Sequence, residues 1–351
     1  MIRAVLFDMD GTVFDSEKIY CACLAEVAKG SAMEKELAEV LLDISGRNRA
    51  DIYAYLHARY GEEFPAEEIF AKRDERVMKQ IDEEVIVPTP GFGLYESLIQ
   101  IAGARMVPLD ISKTGFQIDA DVLKAAITPK TKAILLNSPN NPTGAVLNEQ
   151  SLSAVKEAVL GKPIFVIWDN VYNQLSYSPC PDLSLDEDLR EQLILCQSFS
   201  KPYAMTGWRV GYLTCADYVM DRFLLLSAAT ITAVPTFIQT AAIEALKTDP
   251  SPMREIYRQR RDYVCNRLRA MDLPFPNPEG AFYVFPSIAE FGIGSEEFCL
   301  RLIQEGKVAA VPGACFGADG YIRLSYCYSD AELKRGLDRL EDFVTKLRKK
   351  D

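Results

Sequence analysis

Apolar positions along this 351-residue chain change their period twice. A short apolar run over residues 2–7 ends in Asp8, the pattern of a buried parallel strand. Over 17–84 the spacing turns helical. Apolar residues recur three and four apart in 33–42, 50–60 and 67–81, with charges between them, which predicts a small helical bundle. Near residue 84 the pattern changes again. Residues 84–88 predict a strand and Thr89-Pro90-Gly91 a turn, and apolar runs follow at 133–137, 164–168, 193–197 and 209–214. Helical segments near 93–103, 119–126, 148–159 and 216–226 separate most of them. Such alternation predicts an α/β fold, a mostly parallel sheet covered on both faces. Past Thr248-Asp249-Pro250-Ser251-Pro252, a long charged helix to about residue 271, strands at 281–285 and 321–325, and helices at 295–305 and 330–348 predict a smaller α/β domain. The expected division is 1–83, 84–250 and 251–351.

Composition narrows the function classes. The chain is 48% hydrophobic and 25% charged, as in ordinary soluble globular proteins. Thirty-nine basic residues against 50 acidic give a net charge of −11, which argues against a nucleic-acid surface. The single histidine, His57, lies in a helical pattern near Tyr53 and Tyr60 and is expected to pack or face solvent, so a histidine-rich metal site is not expected. Nine cysteines without a paired C-x-x-C framework fit free thiols in a reducing cytoplasm. No secretory leader is expected, since aspartates interrupt the first apolar run. The uncharged stretch 223–243 contains Pro235 and Gln239 and predicts a buried helix and loop at a subunit contact rather than a membrane span.

Chemistry-bearing residues fall into two groups. Asp8 and Asp10 end the first strand with Gly11 to permit a sharp turn. Two carboxylates so spaced can reach a bound Mg²⁺ and a phosphate, one attacking phosphorus and the other handling a proton. Asp8-x-Asp10-Gly11-Thr12 and Asp15-Ser16, with the helices after them, resemble the haloacid dehalogenase (HAD) superfamily and its helical cap. The resemblance implies Asp8 as nucleophile and Asp10 as general acid/base. The later elements that family needs have only lookalikes, at 134–138 and 165–169, and both fit the second group better. The aspartates are therefore expected to be a relic on an inert fragment.

The second group centres on Lys201. It follows an apolar run and Ser198-Phe199-Ser200, with Arg209 eight residues on. A lysine desolvated among cations loses proton affinity, and its amine is freed to condense with an aldehyde. Ser198 and Arg209 can grip a phosphate. Asp169 ends another strand, where a buried carboxylate needs a cationic partner; a protonated pyridine nitrogen suits it. Tyr172, three residues on, and Asn141, in the turn Ser138-Pro-Asn-Asn-Pro-Thr-Gly144, can reach the phenolic oxygen of such a ring.

In order and spacing these elements resemble the class I/II aminotransferases of the pyridoxal-phosphate type I fold, from about residue 84 to residue 347. The resemblance implies pyridoxal 5′-phosphate as cofactor and transamination between an amino acid and a 2-oxo acid. Lys201 then carries the cofactor and shuttles the proton, Asp169 pairs with the ring nitrogen, Tyr172 and Asn141 contact the phenolic oxygen, and Ser198 and Arg209 hold the phosphate. Phe92 matches the aromatic that stacks on the ring, and Arg323 the arginine that clamps the substrate carboxylate, beside Asn141. Tyr172, where a related C–S lyase branch tends to carry histidine, favours transamination over elimination.

The family ordinarily places a longer stretch ahead of the point corresponding to Glu84. It supplies part of the small domain, a dimer arm and a phosphate-cradling helix N-terminus. Here the HAD-like segment stands instead, so the chain reads as a chimera with weakened cofactor affinity and, at most, a homodimer. Two rival readings follow: a Mg²⁺-dependent phosphatase using Asp8 and Asp10, and a non-catalytic fusion of two incomplete enzymes.

Overall fold

The computed structural model describes residues 5–7, 23–44, 49–80 and 83–349. The chain divides into two units, one of Met1–Thr12, Val85–Tyr95 and Met106–Asp351, the other of Val13–Glu84 and Glu96–Arg105. Asp8 and Asp10 lie outside the described residues.

The second unit contains helices Leu37–Ile44, Arg49–Tyr60 and Ala66–Gln80, in the stretch whose pattern predicts helices alone. Leu37, Val40, Leu41 and Ile44 fall three and four apart, which gives the first helix one apolar stripe. Val40 and Ile44 join Leu24, Met33, Leu56, Phe64, Ile69 and Phe70 in a buried core. Arg59 lies at the surface, 3.0 Å from Glu36, 3.1 Å from Glu39 and 3.4 Å from Asp43. His57 is half-buried, its Nε2 3.0 Å from the Phe64 carbonyl oxygen, the packing role its pattern suggests.

A seven-stranded sheet is built from β1 (Val5–Phe7), β2 (Glu84–Thr89), β3 (Arg105–Asp110), β4 (Thr131–Asn137), β5 (Phe165–Asp169), β6 (Leu193–Ser198) and β7 (Gly211–Thr214). Their spatial order is β1-β7-β6-β5-β4-β2-β3. The central strands β4, β5 and β6 are parallel, while β7 runs against β6. The first strand departs from expectation: β1 pairs antiparallel with β7, not parallel. An apolar run reports burial but carries no direction, and at a sheet edge either direction completes the ladder. Ile134, Leu136, Val166 and Trp168 bury the sheet against Leu152, Val155 and Val159 of the helix Glu149–Val159. The uncharged stretch 223–243 is shared between two helices, Asp217–Thr230 and Thr236–Ala245, with Pro235 between them. Among the described residues no helix is long and apolar enough to cross a membrane.

A second, antiparallel sheet has the order β8-β10-β9, from Tyr283–Val284, Ile322–Ser325 and Val311–Pro312. Val284 and Ile322 share a core with Leu268 of the helix Ser251–Ala270 and with Leu337, Leu340 and Phe343 of the helix Asp330–Arg348. Ser329 and Glu332 start the latter helix with a reciprocal capping box.

Candidate active site

The parallel strands deliver polar residues to their C-terminal ends, where open α/β sheets place ligands. Asn137 ends β4, Asp169 ends β5 and Ser198 ends β6. Register pairs Asn137 with Asp169 and Asp169 with Cys196, so the three side chains share one face. Gly211 lets β7 pass close to β6, for a Cβ there would lie 2.6 Å from the Gln197 carbonyl oxygen. Just before it, Arg209 takes a left-handed conformation, φ 51°.

Asp169 is buried and hydrogen-bonded by neutral groups. The Tyr95 hydroxyl donates to its Oδ2, and the Val171 amide to its Oδ1 at 3.4 Å. Burial pushes the carboxyl above its ordinary value, against the pull of Tyr95, the Val171 amide and the positive charge of Lys201. Tyr95 is itself held well above the usual phenol range by burial and by the neighbouring carboxylate. Phe92, half-buried, meets Tyr95 edge-on, with centroids 5.4 Å apart and planes at 85°.

The Lys201 ammonium lies 5.8 Å from the Tyr172 ring centroid. Burial lowers its proton affinity. Asp169 opposes that shift, while Arg209 and Arg323 add to it. Ser198 Oγ accepts from the Ser200 amide at 3.0 Å, and Arg209 donates to the Thr206 carbonyl at 3.2 Å.

A polar relay links the two sheets. Asn137 Nδ2 donates to the Asp169 carbonyl at 3.0 Å, and its Oδ1 accepts from the Asn141 amide at 2.8 Å. Asn141 Oδ1 in turn accepts from Arg323 Nη1 at 2.9 Å. The Arg323 guanidinium lies against two rings, 4.6 Å from the centroid of Tyr283 and 4.9 Å from that of Phe316. The Tyr172 and Tyr283 hydroxyls are 3.0 Å apart. The turn holding Asn141 is pinned by Gly144, at φ +72°, where a Cβ would meet Pro278 Cβ at 2.7 Å.

Lys201, Asp169, Tyr172, Asn141 and Arg323 thus come together through direct contacts or mutual electrostatic influence. Ser198 and Arg209 flank the lysine in sequence, and Phe92 enters through Tyr95. Sequence reasoning gives no role to Asn137, Tyr95, Tyr283 or Phe316. Tyr95 could have been found from its position three residues after Phe92 at a helix start, where i and i+3 share a face. Tyr283 carried no such signal.

The donor set fits pyridoxal phosphate. A buried acid without a strong cationic partner suits a protonated ring nitrogen, a half-buried amine of lowered proton affinity suits an aldehyde, and two guanidiniums suit two anionic groups. A site of this kind on a mostly parallel α/β sheet defines the pyridoxal-phosphate type I class. The family model "Aminotransferase class I and II" matches residues 75–340. The chain is 40% identical over 271 residues to a probable N-acetyl-LL-diaminopimelate aminotransferase of Bacillus subtilis, covering 76% of this chain and 69% of that protein. It is 37% identical over 270 residues to aromatic-amino-acid aminotransferase 2 of Thermococcus litoralis, covering 74% and 69%. The crystal structure of an aromatic aminotransferase from Pyrococcus horikoshii superposes with a TM-score of 0.72 at 36% identity, covering 76% of this chain and 74% of that one. This chain therefore belongs to the class I and II aminotransferases, enzymes of pyridoxal-phosphate-dependent transamination.

Proposed function

We propose that this chain transfers an amino group between an amino acid and a 2-oxo acid, with Lys201 as the cofactor-bearing residue. The observation that carries the reading is the buried Asp169 carboxyl at the end of β5, held by Tyr95, with the Lys201 ammonium just beyond β6 and 5.8 Å from the Tyr172 ring, where each feels the other's charge. Bound pyridoxal phosphate supplies an aldehyde and an electron-withdrawing ring. Asp169 orients that ring through its nitrogen, with Tyr95 fixing the carboxyl in turn. Phe92 covers a ring face, Tyr172 and Asn141 address the phenolic oxygen, and Ser198 and Arg209 hold the phosphate. Arg323 presents its fork to the substrate carboxylate, held by Asn141 and the two rings it lies against. With the cofactor bound, the Lys201 amine would serve as the base that takes the proton from the substrate α-carbon and, as the ammonium, would keep that proton within the site for return.

The relatives are named for aspartate, aromatic amino acids and N-acetyl-LL-diaminopimelate, so those chemistries form the first substrate panel. The test is a visible spectrum with added cofactor, then borohydride reduction and peptide mapping. A new absorption band whose reduction labels Lys201, with amino transfer from at least one panel member to a 2-oxo acid, is expected. A chain that binds no cofactor sinks the reading and leaves the non-catalytic fusion.

Three further parts belong to the same proposal. Residues 1–83, 84–250 and 251–351 are separate domains, and the molecule works in the cytoplasm. It pairs as a homodimer over the apolar face of the helices Asp217–Thr230 and Thr236–Ala245, where Leu225 is 67% and Phe237 68% exposed; sedimentation checks the pairing. The HAD-like reading of residues 1–83 rests on Asp8-x-Asp10-Gly11-Thr12, on Asp15-Ser16 and on the helices that follow them. Mg²⁺-dependent hydrolysis of a small phosphate ester, lost in D8N, is its test.

A further inference from the structure

Tyr283 lies in β8 and is buried, with Ser325 as its register partner in β10. Two residues back along β10, Arg323 carries its guanidinium over the Tyr283 ring at 4.6 Å. At the other end of the same side chain, the hydroxyl meets that of Tyr172 at 3.0 Å, and the two rings stand edge to face, centroids 5.8 Å apart. Phe282 packs on Tyr172 from the neighbouring position, 5.8 Å away and at 79°. One rigid side chain with only two rotatable bonds therefore touches two groups of different duty, Arg323 on its own sheet and Tyr172 in the turn that follows β5. Asn141 holds Arg323 independently of Tyr283: its Oδ1 accepts directly from Arg323, and its own amide donates to Asn137, which in turn donates to the Asp169 carbonyl. The guanidinium is thus held at its edge by an amide oxygen and on its face by a ring.

We propose that Tyr283 is a positioning residue for this site: its ring fixes the guanidinium of Arg323 and its hydroxyl fixes the phenol of Tyr172, so that a single side chain sets the distance between the substrate-carboxylate fork and the phenol facing the cofactor. The proposal rests on the reading of Lys201, Asp169 and Arg323 given above. Its physical content is a division of labour within one residue. The ring contributes to carboxylate binding, because a guanidinium free to swing loses its fork geometry. The hydroxyl contributes to turnover, because Tyr172 without a partner rotates to find another.

The experiment separates the two. In Y283F the ring remains. The dissociation constants of the amine-free carboxylates succinate and 3-phenylpropionate, measured by calorimetry on the cofactor-loaded chain, are expected to stay within about twofold while kcat falls about tenfold. In Y283L the ring is lost, and the tighter-binding carboxylate is expected to weaken about tenfold. In a Y172F background, Y283F is expected to lower kcat no further. A side chain that merely fills space would move stability in these variants but would not split binding from turnover. Unchanged carboxylate binding in Y283L, or full additivity of Y283F with Y172F, overturns the proposal. If the wild-type chain takes up no cofactor, the functional reading fails on its own. The pair is then read in the cofactor-free chain by a double-mutant cycle on unfolding: coupling of Y172F with Y283F supports the hydroxyl contact and additivity overturns it.

Discussion

The helical stretch 23–80 and the sheet-bearing stretch 106–349 both bury a core, yet they treat polar groups in opposite ways. In the helical stretch no described polar or charged side chain is buried, and the polar network around Arg59 lies at the surface. The sheet-bearing stretch buries Asn137, Asn140, Asn141, Asp169, Asn170 and Ser200 around the ends of three parallel strands. Burying a carboxylate with only neutral hydrogen-bond donors costs stability. A fold keeps such a group where a ligand supplies the missing charge. The comparison locates chemistry by where the molecule accepts a folding penalty, and finds it in one stretch only.

The largest effect expected from this contrast is at Lys201. K201A is expected to lower amino transfer by about 10³-fold or more and to abolish borohydride labelling. Transfer within tenfold of wild type places the chemistry elsewhere. Next comes Asp169, where function and stability should move apart. D169N is expected to lower kcat by about a hundredfold, since a neutral amide cannot hold a positive ring nitrogen. The cofactor-free chain should gain stability from the same change. The Asp169 carboxyl is raised in the folded state, so its contribution is full at low pH and is lost as pH rises through the folded value. Asparagine does not ionise and escapes that loss. Cofactor-free D169N should therefore melt about 1–3 °C above cofactor-free wild type at neutral pH, the gap closing toward the ordinary carboxylate range. A lower melting point at neutral pH breaks the argument that Asp169 is carried at a cost.

How much of this could be read from the sequence depends on the range of each contact. Asp169 ends and Lys201 follows a short apolar run whose length and flanking turn residues point to a strand, and Asn141 sits in a turn whose residues favour its shape, so local pattern placed these three on their elements. Tyr95 acts on Asp169 from 74 residues away, and Tyr283 meets Tyr172 across 111, and nothing in local pattern encodes either meeting. The two-residue strand β9 is too short for alternation to register. The direction of β1 was out of reach because hydrophobicity does not distinguish parallel from antiparallel neighbours at an edge.

Smaller effects sharpen the contrast from the helical side. Phe70 is buried against Tyr53, centroids 5.8 Å apart and planes at 80°. F70A is expected to cost the helical unit about 3–4 kcal/mol, read by denaturant unfolding. The labelling of Lys201 by cofactor and borohydride should be unchanged at temperatures where the sheet-bearing unit stays folded. Loss of labelling would show that the two stretches do not divide structure from chemistry as their cores suggest.

The smallest effect is expected where the hydrogen bonds are most numerous. Arg59 reaches Glu36, Glu39 and Asp43 and donates to the Tyr55 hydroxyl at 2.7 Å, more polar partners than Asp169 has. Number alone would make it the more important residue. But its acidic partners are all well exposed, and water and salt replace what they give. R59M is therefore expected to shift the melting temperature by no more than about 1 °C, with little dependence on added salt. A drop of several degrees would mean that an exposed network can hold a fold as firmly as a buried core. Burial would then no longer separate the groups this molecule needs for chemistry from those it needs only to stay dissolved.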